Sequence, residues 1–170
     1  MAQDQTSRTY LDQIALSLGK MVISCSNLEH DLTMAIAQIL SLNEVQERTL
    51  VMPMGISGKL TLLNRIAKDY LTKDEYKRVT NITDQIRKAA DKRNDLIHGV
   101  YVHAEKDKSA AVLSFAGAAR IKGAAVKLEP RELELFIVNL NWLQRELTHS
   151  LPLFPKIENA PPGIGRRLSD

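Results

Sequence analysis

A chain of 170 residues, 44% hydrophobic and 25% charged, has the size and composition of one globular domain with a buried core. Only 5% of the residues are aromatic, which favours an aliphatic helical core over a β-sandwich, and the net charge of +3 is too small to indicate a partner. The single cysteine, Cys25, excludes an internal disulfide. With no N-terminal signal pattern and no apolar run of membrane-spanning length, we expect a cytoplasmic protein with no membrane partner.

The first quarter of the chain is patterned as a long helix, from about Thr6 to Leu42. A kink near Gly19 could divide it into two helices in line. Cys25 lies on its apolar stripe and is interpreted as a small buried hydrophobe. Glu29 lies off the stripe and is expected to be exposed, although pairing with the later Arg93 is an alternative. The stripe comprises Leu11, Ile14, Leu18, Met21, Cys25, Leu28, Leu32, Ile36 and Ile39.

Two shorter helices are predicted next. Asn43 is well placed to cap a short helix that runs through Val51, because its side chain can accept a hydrogen bond from a free backbone N–H. After a break at Pro53, we expect Ser57 to cap a helix through Leu71.

The fourth helix carries the most informative pattern. Thr72 and Glu75 form a capping box at its start, and Gly99 is suited to stop it after His98. Arg93 falls on the stripe that should face inward, and a guanidinium there needs a carboxylate, a cavity or an anionic ligand because it cannot lose its charge. The stripe comprises Tyr76, Val79, Thr83, Ile86, Ala90, Arg93 and Ile97.

The period of the pattern changes after Gly99. Alternating apolar residues predict a β-hairpin between about Val100 and Phe115, with a turn at residues 106–109. A further short strand is predicted around residues 125–128.

Pro130 is suited to the first turn of a final helix. Trp142 lies beside its inward stripe and is expected in the core or at an interface. We therefore predict a mainly α protein, an up-and-down helical bundle with an inserted β-hairpin before the last helix. The domain should span residues 1–150, and the Pro/Gly-rich residues 151–170 should form a C-terminal tail without regular structure, held to the body through Leu153 and Phe154. The inward stripe of the last helix comprises Leu133, Phe136, Ile137, Leu140, Leu143 and Leu147.

Arg93, Asn94 and His98 gather within six residues at the end of the fourth helix. This arrangement resembles the signature of the HEPN superfamily, an Arg, a polar residue and then a His four to six residues after the Arg. The resemblance implies a helical domain over about residues 6–150 and, in many members, a metal-independent endoribonuclease acting as a homodimer. One toxin group of this fold carries a Tyr two residues after the His, whereas Tyr101 here is three residues after His98.

The residue types suit RNA cleavage by the RNA's own 2′-hydroxyl. His98 could transfer protons, Arg93 could grip phosphate oxygens, and Asn94 could orient the imidazole or hold a phosphate oxygen. Arg93 and His98 are five residues apart, about 140° around an ideal helix. A long Arg side chain, a loosened last turn or a second subunit would therefore be needed to bring both onto one phosphate.

The sequence thus predicts an endoribonuclease, in the context of a toxin or a defence effector, with Arg93, Asn94 and His98 as catalytic residues. Lys92 and Tyr101, which flank the motif, are further binding candidates. We expect no metal or other cofactor, and RNA, a second copy and an antitoxin or regulatory protein as partners. The alternative is a non-catalytic helical module that binds nucleotide, RNA or protein, in which His98 only caps the helix and Arg93 pairs with a core carboxylate.

Overall fold

The protein is mainly α-helical, as predicted, with a β-hairpin before the last helix. The structure is a computed structural model, and it describes residues 2–104, 109–113, 115–116, 120–121 and 126–154. Of the two alternatives for the first helix, the structure has one continuous helix. The helices are α1 (Ala2–Ile39), α2 (Glu44–Gln46), α3 (Ile56–Tyr70), α4 (Lys73–His98) and α5 (Pro130–Ser150), with a π-helical turn at Glu47–Val51 and a 3₁₀ turn at Leu151–Leu153.

The strands lie between α4 and α5. They are β1 (Val100–Ala104), β2 (Ser109–Leu113), β3 (Phe115–Ala116), β4 (Arg120–Ile121) and β5 (Val126–Leu128). β1 and β2 form the predicted hairpin, from Val100 opposite Leu113 to Ala104 opposite Ser109. β5, the predicted further strand, pairs antiparallel with the other side of β2. The antiparallel pair β3–β4 was not predicted, and residues 106–108 of the predicted turn lie outside the described part of the chain.

The chain divides into two compact units. Unit 1 comprises Met1–Leu28 and Lys88–Trp142, and unit 2 comprises Glu29–Arg87 and Leu143–Asp170. Along the chain, α1 and α5 pass from unit 1 into unit 2, whereas α4 passes from unit 2 into unit 1. Buried side chains of unit 1 include Ile14, Met21, Leu28, Ala89, Leu96, Val112, Leu128, Leu133, Phe136 and Leu140; those of unit 2 include Leu32, Ile36, Leu60, Leu63, Val79, Ile82, Ile86, Leu143 and Leu147.

The predicted α1 and α5 stripes supply much of the described core, because residues three and four apart share one side of a helix. The α4 stripe is only partly right, since Ala90 and Ile97 are half-buried and Ala89 and Leu96 are buried in their place. Leu11 of the α1 stripe is exposed, and Cys25 is half-buried rather than buried. Among the described residues, no helix is both long enough and apolar enough to cross a membrane.

The first residues of the predicted tail have regular structure, which corrects that part of the prediction. Leu151–Leu153 form a 3₁₀ turn that contains Pro152, and proline is tolerated there because its missing N–H would be unpaired in a first turn anyway. Phe154 is buried and Leu153 is half-buried, in agreement with the expected attachment. The rest of the predicted tail, residues 155–170, lies outside the described residues.

The capping box of α4 is confirmed. The backbone N–H of Thr72 donates to Oε2 of Glu75 at 3.0 Å, and the Thr72 hydroxyl donates to the same oxygen at 2.7 Å. These two hydrogen bonds stabilise the ionised carboxylate, so they lower the pKa of Glu75. The ionised carboxylate of Glu75 is thus held at the N-terminus of α4, where the helix dipole favours a negative charge.

The two predicted caps before α4 had different outcomes. Asn43 does cap α2 through a capping box, and the helical segment continues as the π-helical turn to Val51. Ser57 is not the cap of α3. The extended residue before the helix is Gly55, whose carbonyl accepts the first helical hydrogen bond, from the N–H of Lys59 at 3.1 Å.

α1 ends at Ile39 rather than Leu42 because Ser41 takes a left-handed conformation, with a φ of 51°. The N–H of Leu42 donates to the carbonyl of Ala37 at 2.9 Å, and the N–H of Ser41 donates to that of Gln38 at 3.2 Å. These two bonds define a Schellman motif, which pairs the last carbonyls of the helix.

A buried charge lies in unit 2. Lys59 is only 3% exposed, and its ammonium lies 2.9 Å from Oε1 of Glu29, whose side chain is 43% exposed. Glu29, for which exposure or pairing with Arg93 was expected, is therefore half-buried and paired with Lys59. A buried ammonium that keeps its charge needs such a partner.

The Glu29→Ala variant should lower the free energy of unfolding by about 2 kcal/mol, because the ammonium of Lys59 would stay buried without its carboxylate. The estimate is below the range for a fully buried pair since Glu29 is partly exposed. Adding Lys59→Met should recover most of the loss, because it removes the unpaired charge. Urea unfolding curves would measure both, and equal stability of the single and double variants would contradict this role.

The Ser41→Gly variant should raise the free energy of unfolding by about 0.5 kcal/mol, since glycine adopts the left-handed conformation without a Cβ clash but loses more entropy on folding. Ser41→Ala is the matched control and should give no gain, because alanine keeps the Cβ. Thermal unfolding would distinguish them. A gain in the alanine variant as large as in the glycine variant would show that the left-handed turn is not the cause.

Candidate functional site

The candidate site occupies the last turns of α4, in unit 1. Ala89 and Leu96 are buried on one side of this segment, and Arg93 lies between them on the same side. Arg93 itself is half-buried. The predicted inward position is therefore confirmed, but part of the side chain reaches solvent, as expected for a group that keeps its charge.

A hydrogen bond determines where the guanidinium points. Nη1 of Arg93 donates to Oδ1 of its neighbour Asn94 at 3.0 Å, and Asn94 is exposed. On an ideal helix, Asn94 lies about 100° and His98 about 140° around the axis from Arg93, in the same direction. The hydrogen bond therefore turns the guanidinium from the buried stripe toward the side of the helix that carries His98.

His98 is the last residue of α4, and its side chain is exposed. The segment is α-helical through His98, so Asn94 and His98 are neighbours one turn apart. Because Arg93 is bonded to Asn94, its guanidinium extends toward the side of the helix that Asn94 and His98 share. The predicted end of the helix is confirmed, since Gly99 separates His98 from β1.

Within the part of the chain that the structure describes, the Arg93 guanidinium has Asn94 as its hydrogen-bond partner and forms no ion pair. The alternative, a core carboxylate that neutralises Arg93, is therefore not seen among those residues. An exposed His98 and a guanidinium free of a carboxylate leave both groups accessible to an anionic ligand.

Lys92 takes a different direction. Its side chain is exposed, and its ammonium lies 4.9 Å from the ring centroid of Phe136 on α5. This distance is within the range of a cation–π interaction. The contact joins α4 to α5 and gives Lys92 a structural role, while its charge stays in solvent.

Tyr101 lies in β1, opposite Val112 of β2. Its side chain lies outside the described residues, so its role as a binding candidate stays a prediction.

Carboxylates share this part of α4. Asp91 is exposed and Asp95 is half-buried, and both lie near the helical position of His98. They offset most of the charge of Lys88, Lys92 and Arg93 in the same segment. An anion would therefore be held here by specific contacts with Arg93, Asn94 and His98, more than by a strong positive field.

Among the described residues, no group of three or more His, Cys, Asp or Glu side chains could hold a metal ion. Comparison of the chain with protein-family models, with curated proteins and with solved structures finds no match. The resemblance to the HEPN signature therefore depends on Arg93, Asn94 and His98 and on the helical fold.

Sequence reasoning placed these three residues on α4 but missed how their side chains are held. The bond from Arg93 to Asn94 depends on a side-chain rotamer, for which the sequence carries no signal. The contact of Lys92 with Phe136 joins two helices distant in the chain. The apolar stripe of α5 indicated that Phe136 would be buried, but did not indicate which cation would lie over it.

Proposed function

We propose that the protein is a metal-independent endoribonuclease of the HEPN type, with Arg93, Asn94 and His98 as its catalytic residues. The observation that supports this most is the hydrogen bond from Arg93 to Asn94, which directs the guanidinium toward the exposed side of α4 that carries His98. A phosphate bound there could contact a permanent cation and an imidazole together.

The proposed reaction uses the 2′-hydroxyl of the RNA as the nucleophile. Its oxygen attacks the adjacent phosphorus, the bond from phosphorus to the 5′-oxygen breaks, and the products carry a 2′,3′-cyclic phosphate and a 5′-hydroxyl. Arg93 stabilises the charge that develops on the phosphate oxygens, as a planar fork of N–H donors can. His98 transfers a proton to or from the reacting oxygens. Asn94 holds the guanidinium and can also donate its amide N–H groups to a phosphate oxygen.

The wider biological role is part of the same proposal. The enzyme works as a homodimer in the cytoplasm, acts on RNA in a toxin or defence system, and is controlled by an antitoxin or another regulatory protein. Its site for this transesterification uses no metal or other cofactor.

A second candidate function is a non-catalytic helical module that binds nucleotide, RNA or a protein partner. The specific observation in its favour is that Asp91 and Asp95 lie on the His98 side of α4, where carboxylates would weaken the binding of phosphates, so within this candidate function it favours a protein partner. The two functions differ in whether His98 is needed for RNA cleavage.

The Arg93→Ala and His98→Ala variants should each lower the rate of RNA cleavage by at least about 100-fold, because each removes a group that acts on the transition state. Asn94→Ala should lower it roughly tenfold, by losing a hydrogen bond to a charged group. Arg93→Lys should not restore the rate, since an ammonium lacks the planar fork. The measurement is single-turnover cleavage of labelled RNA, with product ends identified as 2′,3′-cyclic phosphate.

Matched control variants distinguish the site from a general loss of charge or a contaminating nuclease. His30→Ala removes an exposed His of α1, and Arg87→Ala removes an Arg of α4 that pairs with Asp84 at 3.2 Å. Both should cut RNA at the parent rate when purified in parallel. Activity should persist in a chelator and fall as salt rises. Full activity of folded His98→Ala would refute the nuclease and favour the binding module.

A further inference from the structure

Two helices of unit 1 expose large apolar side chains on the side opposite their buried stripe. On α1, Leu16 is 60% and Ile23 62% exposed; on α5, Leu135 is 60%, Val138 64% and Trp142 44% exposed. Isolated exposed aliphatic residues are ordinary, but these recur at steps of three, four and seven residues along one side of each helix. That spacing is typical of a seam on which another helix packs.

The two seams have charged and apolar residues at the same intervals along the helix. We name Asp12, Leu16, Gly19 and Ile23 the α1 stripe, and Arg131, Leu135, Val138 and Trp142 the α5 stripe. Each stripe begins with a charged residue and continues at steps of four, three and four residues. If the helices lay parallel, all four positions would therefore be in register.

The paired residues in that register are complementary. Asp12 would lie beside Arg131, which brings together two exposed charges of opposite sign. Leu16 lies beside Leu135, which pairs two apolar side chains.

The remaining positions pair by size. Gly19 lies beside Val138, and a Cβ built on Gly19 meets nothing within 4 Å, so there is room for the branched side chain. Ile23 lies beside Trp142. An antiparallel register would instead bring Asp12 to Trp142 and Ile23 to Arg131, which places charges against apolar groups.

The occupant of both stripes that best fits these residues is a second copy of the chain. Pairing of two α1 stripes would oppose Asp12 with itself, and pairing of two α5 stripes would oppose Arg131 with itself, so charge favours α1 of one copy on α5 of the other. Within unit 1 the Tyr10 hydroxyl donates to the carbonyl of Leu128, so the two stripes, which start at Asp12 and Arg131, begin close together in one chain.

A two-fold axis makes this contact twice, α1 with the partner's α5 and α5 with the partner's α1.

We propose that the chain forms a two-fold symmetric dimer through parallel packing of the α1 stripe of each copy on the α5 stripe of the other. The proposal gives a surface to the dimer named under the proposed function, but it does not depend on RNA cleavage. Association is measured without RNA, so its failure and the failure of the nuclease can be told apart.

The test begins with light scattering of the full chain at micromolar concentration. The parent protein should have twice the 19.0 kDa mass of the chain. Val138→Glu should raise the dissociation constant at least about 100-fold, because it would bury an unpaired carboxylate against Gly19. The matched control is Val45→Glu in α2, where Val45 is 72% exposed and belongs to neither stripe, and it should remain dimeric. Circular dichroism should show an unchanged helical content for both, since both positions are exposed.

A charge exchange tests the register. Asp12→Arg and Arg131→Asp should each weaken association, and the double variant should recover most of it, because the ion pair is restored with its signs reversed.

Cysteine crosslinking tests the direction, in a Cys25→Ala background whose fold is checked first. Protein with Ile23→Cys, mixed with protein with Trp142→Cys, should form a mixed disulfide, whereas Ile23→Cys mixed with Arg131→Cys should not. A monomeric parent protein, a Val138→Glu variant that dimerises as well as the parent, or crosslinking of position 23 to 131 in preference to 142 would each overturn the proposal.

Discussion

The permanent charge of Arg93 constrains how its side chain can be placed at the end of α4. The helix buries Ala89 and Leu96 on the same side, and a guanidinium fully enclosed there would lose its hydration without losing its charge. The side chain is instead half-buried and turned by its hydrogen bond to Asn94. Through that bond, the side chain of a residue on the buried side of the helix extends toward the exposed side, where His98 lies.

The features of the fold that depend on local chemistry could be predicted from the sequence. Thr72 and Glu75 determine where α4 begins, and Pro130 determines where α5 begins, because each satisfies or removes backbone groups at a helix end. The pair β3–β4 could not be predicted, since its strands are only two residues long and carry no measurable alternation. The start of α3 was missed because Gly55 caps without a side chain, so no polar residue marks the position.

Contacts between segments distant in the chain could not be predicted from the sequence, at the candidate site or elsewhere in the fold. The pattern of α4 placed Arg93, Asn94 and His98 correctly along the chain, because helical spacing is a property of the sequence alone. The partner of Lys59 was not foreseen, since Glu29 lies 30 residues away and off the apolar stripe of α1. Pairings of this kind depend on how helices lie side by side, which the period of one helix does not report.

The orientation of the Arg93 side chain bears on whether the proposed catalytic site requires a dimer. From spacing alone, a second subunit was one way to reconcile Arg93 with His98, which would have made the dimer a condition of the site. In the structure Asn94 directs the guanidinium toward the His98 side within one chain, so the spacing of Arg93 and His98 alone does not require a dimer. The proposed dimer would instead be stabilised by the outward apolar side chains of α1 and α5. Such a dimer would hold two sites in one assembly, while each proposed site keeps its own Arg93, Asn94 and His98.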